Sequence, residues 1–265
     1  VTMANFVADV IAASQTTPVL VDFWADWCGP CKSLGPVLEK LETAYEGRFK
    51  LVKINADTEQ QLAGAFGVKS LPTCILLIGG RPVDGFMGAL PEGKVREFLD
   101  KHLPSEGEIT AQADAHEAEQ LMQAGDVDAA LHKLQEALAL NPSDEETRYN
   151  LVKLLISVGH LEEAAAALAP MLAQIPLQLR FDALNYWLQA LEFVSIDPRG
   201  GWALDQFDAL IAKNKRDFET RLAKARTLIA AGHMEAAMEE LLEIIMRDKS
   251  WNDDVARKTY AAILE

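Results

Sequence analysis

Two of the three cysteines lie close together in residues 24–33, WADWCGPCKS, where two residues separate Cys28 from Cys31. This spacing suits a redox pair, a zinc clip or two inert structural thiols. A tetrahedral zinc site needs four ligands. The sequence has no second CxxC, and the first histidine after the pair is His102. The pattern therefore favours the redox pair over the other two interpretations and predicts no metal site.

The residues around the pair predict where it lies in the fold. The β-branched and aromatic run VLVDFW at 19–24 is typical of a strand. Apolar residues then recur at helical spacing from Leu34 to Tyr45. Cys28 should therefore stand at the N-terminus of a helix, where unpaired N–H groups and the dipole stabilise a thiolate. Pro30 lacks an N–H group, which an early helix position does not need.

The rest of the first half alternates between strands and helices. Further strands are predicted at 51–55, 74–78 and 82–86, with a turn at Gly79-Gly80, and a closing helix at 92–102. The apolar runs are nearly continuous, which is typical of strands covered on both faces. The first half is therefore an α/β domain with a helix-covered sheet.

Three motifs in this half resemble thioredoxins. Residues 21–32, VDFWADWCGPCK, are similar to the thioredoxin active-site segment, Leu71-Pro72-Thr73 to its cis-proline loop, and Gly88-Ala89-Leu90 to its closing segment. The resemblance covers about residues 1–104 and implies a thioredoxin fold, in which helices cover a mixed sheet.

The resemblance implies a role for each matching residue. Cys28 would attack a substrate disulfide, and Cys31 would be the buried thiol that resolves the mixed disulfide. The redox-active disulfide Cys28–Cys31 would be the only redox group, with no other cofactor. Asp22 would lie below the pair and move protons, with a pKa raised by desolvation. Lys53 on the next strand would be the partner of Asp22.

The same resemblance implies a substrate-binding rim. Pro72 in the cis form would keep the chain beside the disulfide open, so that a substrate strand could pair with it. The expected substrate-binding residues are Trp27, Gly29, Pro30, Leu71, Pro72, Gly88 and Ala89. Cys74, two residues beyond Pro72, departs from the redox pattern. A small buried hydrophobic residue is the favoured interpretation, and a regulatory or resolving thiol is the alternative.

The second half shows only helical periodicity and an internal repeat. Gly125 and Gly159 are 34 residues apart, as are Ala130 and Ala164, and a third copy of the motif surrounds Gly232. An atypical unit of about 39 residues precedes the third copy, with an aromatic-rich helix at 181–193 that we expect to contribute mainly to the core. The period resembles tetratricopeptide repeats, which bind proteins. The chain thus divides at 1–104 and 105–265, with a polar hinge at 104–108.

Charge limits the partners of this protein. The net charge is −15; residues 1–104 carry 10 Lys+Arg against 12 Asp+Glu, and residues 105–265 carry 15 against 28. Nucleic acids and anionic membranes both need basic patches, so neither is expected as a partner. No stretch approaches the ~18 apolar residues of a spanning helix, and no signal peptide is visible. The amphipathic residues 255–265 could cap the repeats or face a partner.

The order of the two halves resembles the chaperedoxins, bacterial proteins that join a thioredoxin domain to tetratricopeptide-like repeats. This resemblance implies a monomeric holdase of the bacterial cytoplasm. It would bind unfolded or oxidised client proteins, shelter their cysteines as mixed disulfides and pass them to a GroEL-like chaperonin. Two alternatives stay open: a disulfide reductase whose repeats select substrates, and an adaptor with a vestigial redox centre.

Overall fold

The computed structural model describes residues 1–265, and the chain forms two compact units, Val1–Ile109 (unit 1) and Thr110–Glu265 (unit 2). The predicted hinge at 104–108 is wrong at residues 106–108, because these begin a helix, α4 (Glu106–Ala124). Ser105 starts this helix with a capping box: its N–H donates to the Glu108 carboxylate at 2.7 Å, and the Glu108 N–H donates to its hydroxyl at 3.1 Å. The polar residues of this stretch cap a helix rather than form a linker.

Unit 1 is a four-stranded mixed sheet covered by helices. The elements are β1 (Val19–Trp24), α1 (Gly29–Ala44), β2 (Lys50–Asn55), α2 (Gln60–Ala65), β3 (Thr73–Ile78), β4 (Arg81–Met87) and α3 (Glu92–His102). The strand order is β2-β1-β3-β4, with β1 parallel to β2 and antiparallel to β3. Each predicted strand and the closing helix are confirmed, and so is the predicted α/β thioredoxin fold.

Strand β1 divides its side chains between the two faces of the sheet. Val19, Val21 and Phe23 join one core, which includes α2 and the N-terminal segment. Leu20 joins the other core, between the sheet and helices α1 and α3. Because side chains alternate along a strand, Asp22 points to the same face as Leu20, towards α1. This alternation places a carboxyl group beneath the helix that begins at the cysteine pair.

The expectation that the strands are covered on both faces holds for β1, whose residues are almost all buried. It is wrong for β4, whose residues are exposed or half-buried. Strand β4 is an edge strand, and Pro82, which cannot donate to a ladder, is at home there. No element is predicted before residue 19, where the chain forms a π-helical turn at Val7–Ala12, which buries Val10, and a 3₁₀ turn at Ala13–Gln15, which buries Ser14.

Unit 2 is entirely helical, as predicted. After α4 (Glu106–Ala124) it contains α5 (Val127–Leu140), α6 (Glu145–Ser157), α7 (Leu161–Leu172), α8 (Leu179–Ile196), α9 (Leu204–Lys213), α10 (Phe218–Ala230), α11 (Met234–Arg247) and α12 (Trp251–Ile263). No helix of the chain has the length and apolarity needed to span a membrane.

The repeated glycines make the same turn three times. Gly125, Gly159 and Gly232 have φ values of +82°, +81° and +79°, in the left-handed region that glycine adopts without steric cost. At each turn the next residue donates its N–H to the carbonyl five residues back, as when His160 bonds Leu155 at 2.9 Å. This is the Schellman pattern that ends a helix. The third copy of the repeat is thereby confirmed as the α10–α11 pair.

The repeated alanines lie where the paired helices meet. Ala130, Ala164 and Ala237 each follow their glycine by the same interval, and each is fully buried. A methyl group lets two helix backbones approach more closely than a larger side chain allows. Glycine and alanine together therefore fix the geometry of each helical hairpin.

The atypical unit consists of α8, a 3₁₀ turn at Pro198–Gly201 and α9. Its aromatic helix is mainly core, as predicted: Phe181 and Phe193 are buried, whereas Trp187 is half-buried. Helix α12 packs on α8 and α11 and buries Ala256 and Thr259, so it caps the end of the repeats.

Candidate functional site

The cysteine pair lies where strand β1 gives way to helix α1. Cys28 is the N-cap of α1, and its sulfur accepts a hydrogen bond from the Cys31 N–H at 3.2 Å. Pro30 occupies the first turn, where no N–H is required. The two sulfurs form a disulfide of 2.04 Å. The positive end of the helix dipole thus points at the sulfur of Cys28, which favours a thiolate there after reduction.

Both cysteines are buried in this disulfide form. Cys31 is 6% exposed, so its predicted burial is confirmed, and Cys28 is 2% exposed in the oxidised state. The side chains of Ala25, Trp24 and Leu71 pack around the pair. The exposure of the cysteines depends on which side chains the loop after β1 and the cis-proline loop place over them. The spacing of residues along the chain does not specify these contacts.

Asp22 lies on the face of the sheet covered by α1, as its place in β1 dictates, and is 2% exposed. Desolvation raises the pKa of its carboxyl group to about 6, against the opposing effects of the Lys53 charge and a hydrogen bond from Cys74. A carboxyl group with a pKa near 6 can exchange a proton at neutral pH.

Lys53 stands directly opposite Asp22 in the parallel pair of β1 and β2. Its charge lowers the pKa of Asp22, but its ammonium group is hydrogen-bonded to Glu39 of helix α1. The predicted pairing of Lys53 with Asp22 is therefore electrostatic rather than a direct ion pair. The sequence pattern does not indicate a role for Glu39, because only the docking of α1 on the sheet brings this residue to Lys53.

The direct partner of Asp22 is Cys74. The two residues face each other in the antiparallel pair of β1 and β3, and the Cys74 thiol donates to Asp22 Oδ1 at 3.7 Å. Cys74 is fully buried and is the free cysteine of the chain. The favoured prediction of a small buried residue is correct in position, but it missed this polar contact. A cysteine two residues beyond the cis-proline was the available signal.

A small cavity connects the disulfide with Asp22. Its volume is about 210 Å³, which is room for several water molecules. Its lining comes from β1, the loop after it, α1 and β2, and comprises Asp22, Trp24, Ala25, Asp26, Cys31, Lys32, Gly35, Pro36 and Lys53. Cys31 and Asp22 therefore line one shared pocket, and water in it could carry a proton between them.

The predicted cis-proline loop is confirmed in its geometry. The peptide bond between Leu71 and Pro72 is cis, and the Gly88 N–H donates to the Pro72 carbonyl at 2.9 Å. Gly88 has φ of +83°, a conformation in which glycine costs least. This contact joins the loop to the segment after β4, so the two predicted rim segments lie side by side.

The rim also presents exposed side chains. Trp27 is 70% exposed, and its indole N–H donates to Asp57 at 2.9 Å, which fixes the ring while its face stays open. Gly29, Pro30 and Ala89 are exposed as well. Met87 is a rim residue that the sequence motifs do not indicate. It is 68% exposed at the end of β4, opposite Thr73. An exposed methionine is an adaptable apolar contact.

Comparison with known proteins agrees with this geometry. The thioredoxin family model matches residues 1–101. Thioredoxin 1 of Nostoc sp. is 43% identical over 103 residues, which are 39% of this chain and 94% of that protein. The chain belongs to the thioredoxin family. The thioredoxin of Chlorobaculum thiosulfatiphilum is 42% identical over 37% of this chain and 90% of its own length, and that of Haemophilus influenzae is 41% identical over 35% and 87%.

The thioredoxin domain is only the first part of the chain. Tetratricopeptide repeat models match residues 121–185 and 201–265. The chain is therefore a thioredoxin domain followed by tetratricopeptide repeats, the arrangement found in chaperedoxins. The Cys28–Cys31 pair gives it a thioredoxin-like redox function, and the repeats are of a kind used for protein–protein interaction.

Proposed function

We propose that this protein is a redox-active holdase that captures unfolding client proteins during oxidative stress. The observation that carries the proposal is the presence, in one chain, of a complete thioredoxin site and an array of protein-binding repeats. The site holds client cysteines through mixed disulfides, and the repeats hold the unfolded chain. Two contacts on one client make the second contact effectively intramolecular, which raises overall affinity.

Exposed apolar surface supports the holding activity. In unit 2, Ile175 is 98% exposed, Ile196 81% and Met246 70%. A cavity of about 250 Å³ among helices α6, α8, α10, α11 and α12 has a mainly apolar and aromatic lining that includes Tyr149, Trp187 and Ile263, with Lys153 and Glu265 also on its wall. Unfolded clients expose hydrophobic segments, and aromatic or methionine-rich surfaces accept many such sequences.

The redox half of the proposal is thiol–disulfide exchange. The reduced Cys28 attacks a client disulfide, forms a mixed disulfide and releases one client thiolate. Cys31 then attacks the sulfur of Cys28, closes the Cys28–Cys31 disulfide and releases the second client sulfur. Two electrons pass from the protein dithiol to the client disulfide. Asp22 takes the proton of Cys31 through the shared cavity, and Pro72 aligns the client strand beside Cys28.

The partners and location belong to the same proposal. The resemblance to chaperedoxins supports transfer of clients to a GroEL-like chaperonin in the bacterial cytoplasm, with the protein acting as a monomer. Bacterial thioredoxins are among its relatives, which supports a bacterial setting. A second candidate, a disulfide reductase whose repeats select substrates, is favoured by the complete set of cysteines, buried aspartate and cis-proline.

A trapping experiment separates these functions. Cys31→Ala should leave clients joined to Cys28, because nothing resolves the mixed disulfide. After capture from oxidant-stressed bacterial lysate, many clients released by reductant, with chaperonin co-purifying regardless of reductant, would support the holdase. Disulfide-bonded clients without chaperonin would favour the reductase.

The matched control is the Cys28→Ala/Cys31→Ala protein, which has no attacking sulfur and should release nothing on reduction. A second assay measures aggregation of a denatured client that has no cysteine. Suppression of its aggregation by the full chain supports the holdase, and failure to suppress it rules that function out.

A further inference from the structure

Cys74 is the one cysteine that the exchange reaction does not use. It lies in β3 directly opposite Asp22 of β1, and its neighbours in the core, Leu20 and Leu76, place it on the face covered by α1. Its thiol is fully buried and donates to Asp22 Oδ1 at 3.7 Å. The proton acceptor of the active site thus receives its one direct side-chain hydrogen bond from this cysteine.

The Cys74 sulfur keeps its proton. Burial, together with the charge of Asp22 and its hydrogen bond, raises the pKa of this thiol far above its usual range. A thiol that stays protonated is a permanent donor and a poor nucleophile, since the thiolate is the reactive form. Cys74 therefore does not compete with Cys31 for the mixed disulfide.

The cation near Asp22 does not replace this donor. Lys53 lies opposite Asp22 on the neighbouring strand β2, but its ammonium group is bound to Glu39. Without the thiol, Asp22 would have no direct donor while remaining desolvated. The charged or titratable groups that face it from the surrounding elements are Lys53 of β2, Cys74 of β3, Cys31, Lys32 and Glu39 of α1, and Asp26 of the intervening loop.

We propose that Cys74 is a positioning residue for thiol–disulfide exchange: its thiol holds the Asp22 carboxylate in place and favours the charged form that accepts the proton of Cys31. The inference rests on the redox half of the proposed function. In this step the Cys31 proton passes to Asp22, and the Cys31 sulfur attacks the sulfur of Cys28. The Cys28–Cys31 bond forms, the bond from Cys28 to the substrate breaks, and the substrate sulfur leaves as a thiolate that takes a proton from water.

The test is a direct titration of Asp22 in the oxidised full-length protein, followed by the ¹³C NMR signal of its carboxyl carbon. Cys74→Val removes the donor and should raise the pKa of Asp22 by about 0.5 unit or more, which corresponds to about 0.7 kcal/mol and suits a weak thiol donor. Cys74→Ser keeps a donor and should restore the wild-type value or lower it. Leu76→Val is the matched control, because it trims the same core without touching Asp22.

The second measurement is the pH dependence of mixed-disulfide resolution in a single turnover. The pH at which this rate falls on the acid side should rise in Cys74→Val by as much as the pKa of Asp22 rises. In Cys74→Ser it should return to the wild-type value. An Asp22 titration that is the same in Cys74→Val and the wild type would overturn the inference. So would a shifted titration with an unshifted rate profile.

These outcomes are distinct from failure of the proposed function. If the wild-type protein performed no exchange, the redox proposal would fall, while the NMR titration would still decide whether Cys74 controls the ionisation of Asp22. Loss of client holding leaves both measurements unaffected, because neither uses a client protein.

Discussion

Lys53 lies opposite Asp22 in the parallel register of β1 and β2, yet its ammonium group bonds Glu39. Glu39 therefore holds the cation that would otherwise pair with the buried carboxylate. Lys53 still lowers the pKa of Asp22 by its charge, so the charges of Asp22, Lys53 and Glu39 are coupled. The ionisation of the buried acid is set partly by a residue on the exposed side of helix α1.

A substitution of Lys53 and a substitution of Glu39 should move the pKa of Asp22 in opposite directions. Lys53→Met removes the favourable charge and should raise the pKa above about 6. Glu39→Gln weakens the competing partner and should lower it, because Lys53 becomes free to approach Asp22. The measurement is the same carboxyl ¹³C titration in the oxidised protein. Lys40→Met is the control, since Lys40 binds Glu92 instead; shifts of the same sign in both variants would contradict the model.

Asp22→Asn should stabilise unit 1 at neutral pH. The pKa of Asp22 is raised from 3.8 to about 6, so the folded state binds its proton more tightly than the unfolded state. Stability contributed by this group is full below about pH 4 and is lost as pH rises through 6. The variant should therefore gain about 2–3 kcal/mol at pH 8 and little at pH 4.

Hydrogen exchange of the β1 amides in the full chain is the appropriate measurement, because a chain of two units need not unfold in one step. Asp26→Asn is the control: Asp26 lines the same cavity but is exposed. A pH-independent gain in Asp22→Asn would show that desolvation of its charge is not the cause.

Cys28→Ala should separate the two activities. Insulin reduction should fall to the uncatalysed rate, because no sulfur remains to attack at the helix N-terminus. Suppression of client aggregation should stay near the wild-type level, because the repeats are untouched. Ser33→Ala, at an exposed position of α1 two residues beyond Cys31, serves as the control and should retain insulin reduction. Equal loss of both activities in Cys28→Ala would contradict a model with two contact sites.

Gly159→Ala should destabilise the α6–α7 hairpin by about 1–2 kcal/mol, the cost of placing a Cβ in the left-handed region. The φ of Gly159 is +81°, and no atom within 4 Å would obstruct the new methyl group, so the effect isolates backbone strain. Gly201→Ala is the control in the same unit, with free space and no left-handed φ, and should change stability by less than about 0.5 kcal/mol. Hydrogen exchange across α6 and α7 measures the effect of Gly159→Ala, and exchange across α8 and α9 measures that of the control.

The sequence predicts most of the fold because its local signals agree with the final structure. The strand at 19–24 and the helix at 92–102 both carry apolar periodicity, and the glycines at 125, 159 and 232 mark turns that require a left-handed residue. The predicted hinge failed for an opposite reason. Ser105 and Glu108 are polar whether they cap a helix or lie in a linker, and composition does not distinguish the two.

The sequence by itself determined the chemistry of this protein: the spacing of Cys28 and Cys31, the acid in β1 and the proline before β3 identify a thioredoxin site. Tertiary structure alone decided how that site is tuned. Cys74 reaches Asp22 through strand register, and Glu39 reaches Lys53 through the docking of α1. Such contacts join residues far apart in the chain, and their energies depend on burial, which a linear pattern does not specify.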